Sequence, residues 1–142
     1  MQTTLAPEFK GTRDGEAAEA ILRKCVHCGF CTATCPTYQL LGDELDGPRG
    51  RIYLVKQVLE GAEVTARTQL HLDRCLTCRN CETTCPSGVA YGRLVDIGRD
   101  VVEGGGQRLM QLVVEGIETV GAVQRELHPA VASLDQQHTL HR

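Results

Sequence analysis

Two stretches decide how this chain folds: Cys25-Val-His-Cys28-Gly-Phe-Cys31-Thr-Ala-Thr-Cys35-Pro36 and Cys75-Leu-Thr-Cys78-Arg-Asn-Cys81-Glu-Thr-Thr-Cys85-Pro86. Both read C-x2-C-x2-C-x3-C-P, and every cysteine of the second lies 50 positions after its counterpart in the first. Leu22 and Leu72, and Thr34 and Thr84, repeat at the same offset. Two copies make an internal duplication of a short motif and not a solenoid, which needs three or more. The eight cysteines of the chain all belong to these two sets.

The spacing is that of a cubane iron–sulfur site. Three thiolates separated by two residues wrap a tight turn around one cubane. The fourth, displaced by one more residue and followed by proline, leaves that turn in an extended direction. In two-cluster proteins it ligates the neighbouring cluster. The predicted ligand sets are therefore Cys25, Cys28, Cys31 and Cys85 for one 4Fe-4S cluster, and Cys75, Cys78, Cys81 and Cys35 for the other. Structural zinc would need C-x2-C pairs about 15–20 residues apart, which neither set provides. His27 lies between two ligands, but with four cysteines per cluster a Rieske-type histidine ligand is unnecessary.

The rest of the composition sets bounds. The chain has 142 residues, the size of one domain, with 42% apolar residues, no tryptophan, three tyrosines and two phenylalanines. Its core must be small and aliphatic. Fifteen Lys/Arg against 18 Asp/Glu exclude a strongly basic nucleic-acid binder. No apolar run of 18 residues offers a transmembrane segment. The first residues lack the basic-then-apolar pattern of a secretory signal. The expected location is thus cytoplasmic, where structural disulfides are rare.

Around the cysteines the pattern is helical, and period-2 alternation is nearly absent, so the predicted class is all-α. Asp14 is the predicted cap of a helix over 15–24, with Ala17, Ala20, Ile21 and Lys24 at a 3.6 period. Gly47-Pro48 opens a second helix, with Ile52, Leu54, Val55, Val58 and Leu59 on its buried face and Gly61 at its end. Thr65 caps a third, through Leu70. A fourth runs over 91–103, with Tyr91, Leu94, Val95, Val101 and Val102 on one side, until Gly104-Gly105-Gly106 breaks it. A fifth spans 107–127, with Leu109, Val113, Ile117, Val120 and Leu127 at helical spacing. The predicted organisation is a flexible 1–13, a dicluster domain over 14–103, and a Gly-rich linker, one amphipathic helix and a tail over 104–142.

Residues between the ligands tune the site. Val26, Phe30 and Leu76 are predicted to shield the sulfurs from water, and Gly29 to allow close backbone approach. The second loop is more polar, with Thr77, Arg79, Asn80 and Glu82, which predicts two clusters of different potential. Arg49 and Arg51 read equally well as neutralising the cluster charge and as solvated helix-start residues. The same holds for Lys24, Arg74 and Arg79. No Ser/His/Asp set, phosphate loop or other catalytic constellation is present, so no catalytic residue is assigned.

Two longer stretches carry a resemblance. These are Cys25-Val-His-Cys-Gly-Phe-Cys-Thr-Ala-Thr-Cys-Pro-Thr-Tyr38 with Leu41-Gly-Asp-Glu-Leu-Asp-Gly-Pro-Arg-Gly-Arg-Ile52, and His71-Leu-Asp-Arg-Cys-Leu-Thr-Cys-Arg-Asn-Cys-Glu-Thr-Thr-Cys-Pro-Ser-Gly88. Over about 21–103 the chain resembles the iron–sulfur subunits of glycolate oxidase (glycolate dehydrogenase). Lactate-utilisation and anaerobic glycerol-3-phosphate dehydrogenase subunits share the cysteines and Pro-Arg-Gly-Arg-Ile. The resemblance implies an α-helical ferredoxin-like domain with two 4Fe-4S clusters, and partner subunits whose FAD oxidises glycolate to glyoxylate. Electrons would pass from flavin through the clusters to a downstream acceptor, with a quinone pool and peripheral attachment to the inner face of the cytoplasmic membrane as the extension. The eight cysteines match the family's ligands. The Cys-Cys-Gly motifs of the family's C-terminal region do not occur in these 142 residues. The competing expectation is a free-standing dicluster ferredoxin-type carrier.

Overall fold

The computed structural model describes residues 1–105, which form one compact unit. Six helices and two short 3-10 turns make up this unit, and no strand occurs among the described residues. The expected 107–127 helix lies outside the described residues.

Helix α1 spans Arg13–Lys24. Its N-cap is Thr12 and not Asp14: Thr12 Oγ1 accepts the Gly15 N–H at 3.1 Å and donates to the Phe9 carbonyl at 2.8 Å. A threonine at this position satisfies one of the orphan donors of the first turn. Asp14 is the second residue of the helix, pairing with Arg93 of a distant helix at 2.6 Å. Acidic residues at the start of α1 and Arg23 and Lys24 at its end complement the helix dipole.

Helix α2, Pro36–Leu41, starts directly on Cys35 and stops at Gly42 in the left-handed conformation. Helix α3, Pro48–Leu59, begins with proline in the first turn, where no N–H partner is required. It carries Ile52, Val55, Val58 and Leu59 into the core while Leu54 stays half-buried. Gly61, at φ 96°, takes the chain out of the helix. Helix α4, Ala66–Asp73, is capped by Thr65, whose Oγ1 accepts the Thr68 N–H at 3.1 Å. It extends past Leu70 so that His71 and Leu72 are buried. Helix α5, Asn80–Thr84, is short and lies within the second cysteine motif. Helix α6 covers residues 91–105 as described, so Gly104 and Gly105 are helical and do not break it there.

Ala18, Ile21 and Leu22 of α1, the buried face of α3, Leu72 of α4, and Leu94, Val95, Ile97 and Val102 of α6 form the core. Burying each large aliphatic side chain contributes roughly 1.5–3 kcal/mol. The first residues, expected to be flexible, are placed on this core. Leu5 is buried in it, the Ala6 N–H donates to the Leu59 carbonyl at 2.8 Å, and the Met1 amino group donates to the Cys25 carbonyl at 2.7 Å. An isolated apolar residue in a polar segment has no periodicity to mark it, so only the packed core reveals its partner.

Candidate metal centre

The helices deliver the cysteines to one region. Cys25 caps the end of α1, Cys35 the start of α2 and Cys85 the end of α5, and Cys75 follows the end of α4. Between them the backbone repeats its own conformation. His27 and Thr77 have φ of 56° and 52°, and Gly29 and Arg79 have 85° and 59°. Residues 50 positions apart therefore share the left-handed conformation. Three of the four are not glycine, and each such residue costs about 1–2 kcal/mol. A costly conformation held at equivalent positions of both loops indicates that the surroundings impose it. Gly29 is the exception for a steric reason: a Cβ there would lie 2.6 Å from Arg49 Nη1.

Two cavities open against these loops. The first is lined by Cys25, Cys28, Cys31 and Cys85, with Cys81 also on its wall. The second is lined by Cys35, Cys75, Cys78 and Cys81. The structure thus brings the last cysteine of each motif to the first three of the other. Pro48, Cys81 and Tyr91 border both cavities and divide them.

The electrostatics agree with this grouping. Burial raises the Cys31 thiol above its ordinary value, and the nearby Cys25, Cys28 and Cys85 add to the rise. Burial likewise pushes Cys81 up to about 12, with Cys75, Cys31 and Cys35 contributing. Sulfurs crowded in this way resist ionisation unless cations share their charge, and thiolate is the ligand form. This donor set fits a cationic iron cluster, and its all-sulfur chemistry suits 4Fe-4S over a carboxylate-preferring metal.

A polar network backs the second cavity. Asp46 and Arg51 are both wholly buried, with Arg51 Nη2 3.5 Å from Asp46 Oδ1. Asp46 also takes His71 Nδ1 and Arg74 Nη1, each at 3.0 Å. Burial opposes its ionisation, but the hydrogen bonds from His71 and Arg74 outweigh that and hold its carboxyl below the usual range. Arg51 donates through Nε to the His71 carbonyl at 2.6 Å and through Nη1 to Thr37 Oγ1 at 3.1 Å. Thr37 Oγ1 is in turn 3.2 Å from Cys35 Sγ and 2.8 Å from the Asp46 carbonyl. Asp43, Asp46 and His71 place one ligand atom each within 4.8 Å of one another. With Asp46 already shared by two guanidinium groups, this cluster is an ion network and not a cation site.

The two arginines sit differently, Arg51 at the second cavity and Arg49 at the first. Arg51 is buried at the second cavity, while Arg49 is a third exposed and paired with Glu44 at 2.6 Å. Arg74 belongs to the Asp46 network and Arg79 lines the second cavity. Val26 and Phe30 border the first cavity and Leu76 the second, yet they remain 68%, 62% and 62% exposed. They sit at tight-turn positions whose outer side faces solvent. His27 lines the first cavity, and burial followed by the Arg49 charge lowers its pKa. The sequence reading assigned no site role to Thr37, Asp46, His71 or Tyr91. Tyr91 was readable only as a core residue, but its hydroxyl donates to Cys75 Sγ at 3.5 Å.

These features define an α-helical dicluster iron–sulfur domain, and residues 21–89 match the 4Fe-4S dicluster domain family. Such a domain holds two 4Fe-4S clusters. The chain is 66% identical to the glycolate oxidase iron–sulfur subunit of Escherichia coli (strain K12) over 131 residues, which is 92% of this chain and 31% of that protein. It is 45% identical to the probable glycolate oxidase iron–sulfur subunit of Bacillus subtilis (strain 168), over 67% of this chain and 21% of that protein. A more distant match, 31% identical, is the succinate dehydrogenase iron–sulfur subunit of Paracoccus denitrificans, over 48% of this chain and 29% of that protein. The chain is thus similar to glycolate oxidase iron–sulfur subunits and spans less than a third of the length of these relatives. No solved structure matches it significantly.

Proposed function

We propose that this chain is the cluster-bearing part of an electron-transfer subunit in a glycolate (2-hydroxy-acid) oxidase complex. Cys25, Cys28, Cys31 and Cys85 hold one 4Fe-4S cluster, and Cys75, Cys78, Cys81 and Cys35 the other. The observation that carries the reading is the sorting of eight cysteines into two adjoining cavities, each walled by three cysteines of one motif and the last of the other. The clusters supply one-electron storage at a potential set by burial and hydrogen bonding. The chain's own residues position the thiolates, exclude water from the inner faces and place a positive charge at the second cavity. Catalysis is assigned to flavin-containing partner subunits.

A cytoplasmic location, with attachment to the inner membrane face and electron delivery to a quinone, extends this reading. None of the described helices is long and apolar enough to cross a membrane, so attachment through these residues would be peripheral. The relatives named above are subunits, which favours a complex over a free-standing carrier. Anaerobic affinity purification from the native cell, with iron and flavin measured on one sample, tests this. About eight irons per chain together with flavin support the subunit. Eight irons without flavin would make the chain a free carrier.

A further inference from the structure

Side chains that can stabilise added negative charge are distributed unequally between the two cavities. At the second, Arg51 has no solvent exposure and its Nη2 makes no hydrogen bond within the protein. An unpartnered guanidinium donor in a buried residue is costly unless a ligand takes it up. Tyr91, also buried, donates its hydroxyl to Cys75 Sγ at 3.5 Å. The Asp46 carboxylate offsets only part of this charge, because Arg74 shares it. The first cavity has His27, whose Nε2 is also unpartnered, and Arg49, which is partly exposed and committed to Glu44. A buried permanent cation favours the reduced cluster more than a screened, partly exposed ion pair does.

We propose that Arg51 and Tyr91 raise the reduction potential of the cluster held by Cys35, Cys75, Cys78 and Cys81 above that of its neighbour, making it the electron sink of the pair. The proposal rests on the ligand reading above. Transfer of one electron from the first cluster to the second oxidises the one and reduces the other by one equivalent, and no bond or proton changes hands. The donor that first reduces the pair is a reduced flavin on the partner.

EPR-monitored potentiometric titration of the full chain, loaded anaerobically with iron and sulfide, tests it against Tyr91→Phe, Arg51→Gln and Arg51→Lys. The wild type is expected to show two separated midpoints. Tyr91→Phe and Arg51→Gln should lower only the higher one, each by about tenfold in the reduction equilibrium, or about 59 mV. Arg51→Lys should recover most of the loss. If Arg51→Gln fails to hold iron, Tyr91→Phe decides. With eight irons bound, an unmoved higher midpoint or a shift in the lower one overturns the tuning and leaves the ligand reading intact. Wild-type iron well short of eight overturns both.

Discussion

Thr34 and Thr84, each the residue before the last cysteine of its motif, meet at 3.4 Å from Oγ1 to Oγ1. Residues 50 positions apart touch each other, so the duplicated loops face one another about a local pseudo-twofold. The 3-10 turn over Phe30–Thr32 packs on α5, its counterpart in the second motif. At such a contact the chain following each threonine passes to the other side, which takes Cys35 and Cys85 toward the opposite triads.

Cys85→Ser is expected to remove the cluster built on Cys25, Cys28 and Cys31, and Cys35→Ser the one built on Cys75, Cys78 and Cys81. Iron should fall from about eight to about four per chain in each variant. The residual EPR spectrum of Cys85→Ser should match that of Cys28→Ser and differ from that of Cys78→Ser. A match in the opposite sense would refute the crossed pairing.

Asp46→Asn leaves Arg51 buried without its carboxylate and is expected to destabilise the holo chain by about 3–5 kcal/mol. Denaturant unfolding followed by circular dichroism reads this directly. The Asp46 carboxyl is held below its ordinary 3.8 in the fold. Its contribution is therefore fully present above that pH and is lost as pH falls through the lower folded value. The gap between wild type and variant should be constant near neutrality and narrow only below about pH 4.

Gly50 lies where α3 meets the turn carrying Asp46. A Cβ there would sit 2.1 Å from the Glu44 carbonyl oxygen, a backbone atom that cannot step aside alone. Gly50→Ala should cost about 3 kcal/mol, the upper part of the overpacking range. Thermal unfolding of the reconstituted chain would show the drop, and an unchanged midpoint would mean that the turn moves freely.

Leu5→Ala removes a core side chain supplied by the N-terminal segment and should cost about 2 kcal/mol, the low end for such truncations. A segment detached from the core would give no change in the same unfolding experiment.

Much of the domain was legible because its signals are local. Cysteine spacing, Pro48 in a first turn and the Thr65 cap each act within a few residues, and each appears where local rules put it. Asp14 as a cap failed on a close competition: Thr12 lies two residues earlier and also presents an oxygen to the first-turn N–H groups.

By itself the sequence determined the donor atoms, their duplication and the helical class, since spacing along the chain dictates which thiolates can wrap one site. Only the tertiary structure decided what surrounds those thiolates. Arg51 meets His71 across 20 residues, Arg74 meets Asp46 across 28, and Tyr91 meets Cys75 across 16. Such contacts arise when helices pack, and no local period records them. Charge and hydrogen bonding at the second cavity are therefore properties of the folded chain.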